Sequence, residues 1–148
     1  MLTEGTITPP FSLPNAEGDT VSSTDFSGQW TLLYFYPKDD TPGCTKEACA
    51  FRDNFPFYED IGITVVGISR DSVASHKKFK EKYNLPFELL SDTEGAVIET
   101  YGAANGTSTK RISYLVDPNG IIAKAYEQVT PATHAETVLK DLKELQGK

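Results

Sequence analysis

With 148 residues, of which 39% are apolar and 24% charged, the chain is the length of one domain and needs no metal or disulfide to hold a core together. Its net charge of −7, with Lys and Arg scattered rather than striped, argues against a nucleic-acid partner. The run from Met1 to Pro10 has no basic or apolar leader, and no stretch approaches membrane-spanning length. The expectation is one domain over residues 1–148, cytoplasmic, with no membrane partner.

Gly5 to Ser27 reads as an N-terminal hairpin. Phe11 and Leu13 alternate, Asn15 to Gly18 signals a turn, and Val21 lies on the return strand. Trp30 to Tyr36 is continuously apolar, which suits a buried central strand ended by Pro37. Pro42 fits the first turn of a helix, where its missing N–H costs nothing, and the helix pattern runs to about Tyr58. Ile63 to Ile68 is a β-branched strand. Asp71 or Ser72 caps a helix through Tyr83, Phe87 to Leu90 is a short strand, and Thr93 to Tyr101 a short helix.

Ala103 to Thr109 is small and polar, which reads as an exposed, mobile loop. Ile112 to Val116 and Ile121 to Tyr126 form a hairpin around Asp117-Pro-Asn-Gly120. A last helix, about Pro131 to Leu145, puts Ala135, Val138, Leu139, Leu142 and Leu145 on one stripe. Strands linked by helical crossovers, followed by an antiparallel hairpin, predict an α/β domain with a mixed central sheet flanked by helices.

Cys44 and Cys49 are the only two cysteines. In a reducing compartment such a pair points to catalysis, redox sensing or metal binding rather than to a permanent staple. Thr41-Pro-Gly43 places Cys44 at a helix start, where backbone N–H groups favour a thiolate. A free thiol is only roughly 3% ionised at pH 7, and a helix terminus alone supplies too little to change that. A buried arginine and a hydroxyl donor, such as that of Thr41, are the further help required. Arg111 precedes the strand Ile112 to Val116, which allows it to face inward.

On an intact helix, residues five apart have Cα atoms about 8.7 Å apart and side chains about 140° apart. A disulfide needs Cα atoms within about 7 Å. A Cys44–Cys49 bond therefore requires the first turns of the helix to unwind. A zinc site would need His76 and His134 as added ligands and is disfavoured by the same splay. His76 reads as packing at a helix edge and His134 as a surface or capping residue, while Lys77 to Lys82 reads as a solvated helix face.

Pro37-Lys-Asp-Asp-Thr41-Pro-Gly-Cys44 resembles the Pro-x-x-x-Thr-x-x-Cys motif of the peroxiredoxins. The longer run from Leu33 to Asp53 resembles the Q-type branch, also called bacterioferritin comigratory protein. Gly67 to Ser72, His76 to Phe79, Leu90 to Asp92, Arg111 and Leu115 to Asp117 extend the likeness over nearly the whole chain. The resemblance implies a thioredoxin-like fold with an N-terminal β-hairpin extension. It implies reduction of hydrogen peroxide and organic hydroperoxides without cofactor or metal, and a thioredoxin- or glutaredoxin-like reductant.

By position Cys44 would be the peroxidatic cysteine and Cys49 the resolving one, in a monomer. Thr41 would bond sulfur and peroxide, Arg111 would stabilise developing charge, and Pro37 would shield the pocket. The N–H groups of Gly43 and Cys44 would hold peroxide oxygen, and Glu47 would orient Arg111. Trp30, Pro10-Phe11, Ile112-Ser113 and the small loop before Arg111 depart from the family pattern, and the loop leaves the shape of the peroxide entrance open. Two other functions would use the same cysteine pair. A redox-sensing switch would oxidise once without turnover, and a thiol-disulfide exchange protein would prefer disulfides to peroxides.

Overall fold

A computed structural model describes residues 1–147. Five strands form the central sheet: β3 (Trp30–Phe35), β4 (Ile63–Ser69), β5 (Glu88–Ser91), β8 (Ile112–Val116) and β9 (Ile122–Tyr126). Their spatial order is β5-β4-β3-β8-β9. β3, β4 and β5 run parallel, while β8 and β9 are antiparallel to their neighbours. A separate hairpin, β1 (Ser12–Pro14) with β2 (Thr20–Ser22), precedes the sheet as the sequence predicts.

Both sheet faces are covered, which is why β3 shows no polar alternation. Its period of two sends Leu32, Tyr34 and Tyr36 to one face and Leu33 and Phe35 to the other. The first face packs on α1 (Pro42–Asp53), α2 (Phe55–Asp60), Phe79 of α3 (Val73–Tyr83) and α5 (His134–Gln146). The second packs on the N-terminal hairpin and on α4 (Ala96–Thr100). Tyr34 lies against Phe51 with ring centroids 4.9 Å apart. Gly67 makes room for it, because a Cβ there would sit 2.8 Å from the Tyr34 ring and 2.9 Å from Leu89.

Several sequence expectations need correction. The helix expected to run from Pro42 to Tyr58 breaks at Asn54, giving α1 and α2. Pro56 has no N–H to give and its ring crowds the carbonyl four residues back, so the α1 ladder stops at Asn54 and the chain restarts with Pro56 in the first turn of α2. The segment Ala103 to Thr109 is not a free loop. Ala104–Asn105 (β6) pairs with Ser108–Thr109 (β7), and Ala103 and Thr109 are buried, leaving only the tip exposed.

His134 is not a surface residue. It is 3% exposed, its Nε2 lies 2.9 Å from Ser113 Oγ, and burial lowers its imidazole to about 4. His76 is fully buried rather than at an edge.

Candidate active site

The site forms where β3 ends. Phe35 pairs with Ile112 on antiparallel β8, so Arg111 stands beside the residues that lead out of β3. The chain then turns through Pro37 to Thr41 and enters α1 with Thr41 as its N-cap and Pro42 in its first turn. Cys44, on that first turn, is 2% exposed. Arg111, distant in sequence, thus meets Cys44 because of the sheet order.

Arg111 bridges two groups of α1. Its Nη2 donates to Cys44 Sγ at 3.2 Å and its Nη1 to Glu47 Oε1 at 2.7 Å. Glu47 lies three residues after Cys44, close to one helical turn, so both project from the same face. Gly43 permits the approach, since a Cβ at that position would lie 3.0 Å from Arg111 Nη2. Thr45 N–H donates to Thr41 O. The N–H groups of Gly43 and Cys44, two residues earlier and one, belong to the first turn and have no carbonyl partner within the helix. Those donors and the guanidinium concentrate positive potential at the sulfur.

Thr41 does not spend its hydroxyl proton on the sulfur. Its Oγ1 donates to Lys38 O at 2.8 Å, which leaves the oxygen lone pairs available to an incoming O–H. Pro37 is half-buried at the start of the same turn. Cys49 is half-buried further along the unbroken helix, and both cysteines are free thiols. Burial pushes the Cys49 thiol up, so it holds its proton more firmly than an exposed cysteine. The structure therefore brings Cys44, Thr41, Gly43, Glu47 and Arg111 into one cluster and sets Cys49 apart on the same helix.

Glu47 is 1% exposed and its Oε2 has no hydrogen-bond partner among the described residues. Burial pushes its carboxyl up to about 7, against the opposing pull of Arg111. Between the ordinary value of 4.5 and about 7, the unfolded chain has released this proton while the folded chain still holds it. Stability is thus full below that window and falls as pH rises through it. Glu47→Gln removes the titration, and the difference in unfolding free energy between pH 5 and pH 8 shrinks by an amount on the order of 1–3 kcal/mol. Urea melts at the two pH values measure it; an undiminished difference in the variant would show that Glu47 does not carry the slope.

A second polar cluster lies beside the first, and sequence reasoning missed it. Asp39, Asp71 and His76 place potential ligand atoms within 4.8 Å of one another. They do not suit a cation, because those atoms are already engaged. Asp39 Oδ2 accepts from Ser75 Oγ at 2.8 Å and lies 2.7 Å from His76 Nδ1, while His76 Nε2 faces Leu90 O at 3.0 Å. Asp71 Oδ2 accepts from Asp39 N–H and from Ser69 Oγ. The sequence signal was His76 lying three residues before buried Phe79 on one helix face.

A buried cysteine on the first turn of a helix, hydrogen-bonded to an arginine at the start of the neighbouring strand, fits a thiol-dependent peroxidase when set in this sheet. The chain belongs to the AhpC/TSA family, whose profile matches residues 5–125. Within that family it is a peroxiredoxin of the Q or bcp type. It is 45% identical over 148 residues to a chloroplastic peroxiredoxin Q of Sedum lineare, spanning 97% of this chain and 80% of that one. It is also 45% identical over 139 residues to a peroxiredoxin bcp of Coxiella burnetii, spanning 88% of this chain and 92% of that one.

Solved structures agree. A cysteine-to-serine variant of Xylella fastidiosa PrxQ superposes with a TM-score of 0.93 at 33% identity, covering 99% of this chain and 98% of that one. Peroxidoxin BcpB of Mycobacterium tuberculosis gives a TM-score of 0.92 at 29% identity, covering 98% and 99%. The fold expected from sequence, a thioredoxin-like mixed sheet flanked by helices, is the fold of these peroxiredoxins. Among the described residues no helix is long and apolar enough to cross a membrane.

Proposed function

We propose that Cys44 is the peroxidatic cysteine and Cys49 the resolving cysteine of a peroxidase cycle completed within one chain. The observation that carries this reading is the Arg111 guanidinium held between Cys44 Sγ and Glu47 at the start of α1. The Cys44 thiolate attacks one peroxide oxygen. The S–O bond forms as the O–O bond breaks, Cys44 becomes a sulfenic acid, and the leaving oxygen takes a proton to depart as water or alcohol. Arg111 and the first-turn N–H groups face the oxygens on which charge develops. Thr41 accepts a hydrogen bond from the peroxide O–H with the lone pairs that its bond to Lys38 leaves free.

Resolution requires a change of shape. α1 is continuous from Pro42 to Asp53, and its geometry holds the two Cα atoms about 8.7 Å apart. The first turns must unwind before the Cys49 thiol can displace water from the sulfenic acid and form the disulfide. Unwinding draws buried Cys44, Glu47 and Ala48 from their packing and parts Glu47 from Arg111. It also exposes the disulfide to a thioredoxin- or glutaredoxin-like dithiol, which returns two electrons and restores both thiols. Because both cysteines lie on one helix, a monomer suffices. We read the substrates as hydrogen peroxide and organic hydroperoxides, and the compartment as the cytoplasm, where dithiol reductants keep thiols reduced.

Cys49→Ser tests the assignment. The variant consumes one equivalent of hydrogen peroxide at close to the wild-type rate and then stops, leaving Cys44 as sulfenic acid that a dimedone label traps. Multiple turnovers with a thioredoxin system in that variant would mean that an outside thiol resolves Cys44.

A further inference from the structure

The turn that carries Thr41 contains two adjacent aspartates, and each is tied to α3. Asp39 points inward. Tyr36 OH donates to its Oδ1 at 2.6 Å, Ser75 Oγ donates to its Oδ2 at 2.8 Å, and His76 Nδ1 lies 2.7 Å from the same oxygen. On the other side of the imidazole, Nε2 faces the Leu90 carbonyl, which can only accept, so Nε2 carries a hydrogen. The imidazole is thus held at both ring nitrogens, by Asp39 on one side and the Leu90 carbonyl on the other. Asp39 also donates its own backbone N–H to Asp71 Oδ2 at 2.9 Å. The ends of β3, β4 and β5 and the first turns of α3 are thereby laced together through one buried carboxylate.

Asp40 points outward. Its φ is 56°, in the left-handed region that is uncommon outside glycine and that aspartate enters more readily than most residues. Lys82 Nζ and Tyr83 OH secure it there, each 2.8 Å from an Asp40 carboxylate oxygen. The peroxidatic turn is therefore gripped at consecutive residues from opposite sides, by the start and the end of the same helix.

We propose that Asp39 and His76 are positioning residues of the peroxidase, and that α3 acts through them as a brace that sets the Thr41 hydroxyl. The path is short. His76 fixes Asp39, and Asp39 fixes the peptide that joins it to Lys38. The Lys38 carbonyl then receives the Thr41 Oγ1 proton at 2.8 Å and so decides where the Thr41 lone pairs point. Arg111 reaches Cys44 from the position just before β8 and does not depend on this path. The brace therefore governs the alignment of bound peroxide rather than the ionisation of the sulfur. Asp40, held in its left-handed conformation, contributes the turn geometry that lets its neighbour face inward.

The inference rests on Cys44 and Thr41 acting as proposed above, and its test separates the two. Rates of Cys44 with hydrogen peroxide and with iodoacetamide are measured in the wild type, Thr41→Val, Asp39→Asn, His76→Gln and Asp40→Val, with Cys49 replaced by serine throughout. The alkylating agent needs the thiolate but makes no use of the Thr41 oxygen. Asp39→Asn and His76→Gln, folded by circular dichroism, lower the peroxide rate about tenfold or more, because loss of alignment at the reacting atoms is costly. Their iodoacetamide rates stay within about threefold, the pattern also expected of Thr41→Val.

Asp40→Val places a β-branched residue at positive φ and gives the same split from the turn itself, so the test survives if a buried variant fails to fold. Folded variants with wild-type peroxide rates overturn the brace. So does a parallel fall of both rates, which would mean that Cys44 itself has been disturbed. If wild-type Cys44 fails to react quickly with peroxide, the peroxidatic assignment falls instead.

Discussion

Cys44→Ser abolishes reduction of hydrogen peroxide at its first step, with the rate falling at least about a thousandfold to the level of free solution. Serine keeps the size of the side chain and leaves Arg111 paired to Glu47, so the fold persists. What disappears is chemistry. A hydroxyl at the helix start has neither the anion population nor the polarisable lone pairs that attack a peroxide oxygen, and it has no sulfenic state to enter. Stopped-flow measurement of peroxide consumption, with circular dichroism to confirm folding, checks the result. Retention of more than a few per cent of the wild-type rate would move the reaction away from Cys44.

Arg111→Met has the second large effect, and it separates activity from stability. Methionine fills much of the arginine volume but supplies neither charge nor donors. Removing one donor aimed at developing charge commonly costs about 100- to 1000-fold, and here the donor also touches the attacking sulfur at 3.2 Å. The same change leaves Glu47 buried without its partner. Breaking a buried pair from one side destabilises by about 3–5 kcal/mol when the remaining group is charged. Glu47 escapes part of that penalty by staying protonated, since burial already holds it up to about 7 with the arginine present.

The stability loss of Arg111→Met is thus larger at pH 8 than at pH 5. Adding Glu47→Gln removes the uncompensated carboxylate and returns much of the stability at pH 8, while the peroxide rate remains low. Denaturant melts and stopped-flow rates on the single and double variants measure both quantities. Recovery of the rate along with the stability would show that Arg111 serves the fold rather than the reaction.

The parts of this molecule governed by local pattern were legible from sequence. The continuous run Trp30 to Tyr36 became a strand buried on both faces, and Thr41-Pro-Gly became the start of the helix that carries Cys44. Asp117 to Gly120 turned the hairpin of β8 and β9, and the stripe through Val138 and Leu142 faced the core. Two boundaries slipped where one residue overrode the pattern. Pro56 divided a helix whose apolar spacing continues through it, and the small residues of Ala103 to Thr109 gave no sign of their backbone pairing.

Buried polar residues were the hardest to foresee. His76 and His134 look like ordinary helix residues until their partners arrive, and those partners are Asp39, 37 residues away, and Ser113, 21 residues away. Nothing local records such a bond. Arg111 is in the same position, 67 residues from Cys44. Its place before a core strand allowed an inward orientation, and the family motif supplied the expectation that it would meet the cysteine. The two aspartates of the turn show the limit most clearly. As a sequence they are a pair of like charges between Pro37 and Thr41, yet one is buried on His76 and the other is held in a left-handed conformation by Lys82 and Tyr83.

The most direct test is to mix the pre-reduced protein rapidly with one equivalent of hydrogen peroxide and count free thiols with time. Both thiols should disappear within seconds, in equal amount and without a change in molecular mass beyond the loss of two hydrogens. Thiols that persist for many minutes, or the loss of one thiol with covalent dimers accumulating, would contradict a cycle that opens at Cys44 and closes within α1 at Cys49.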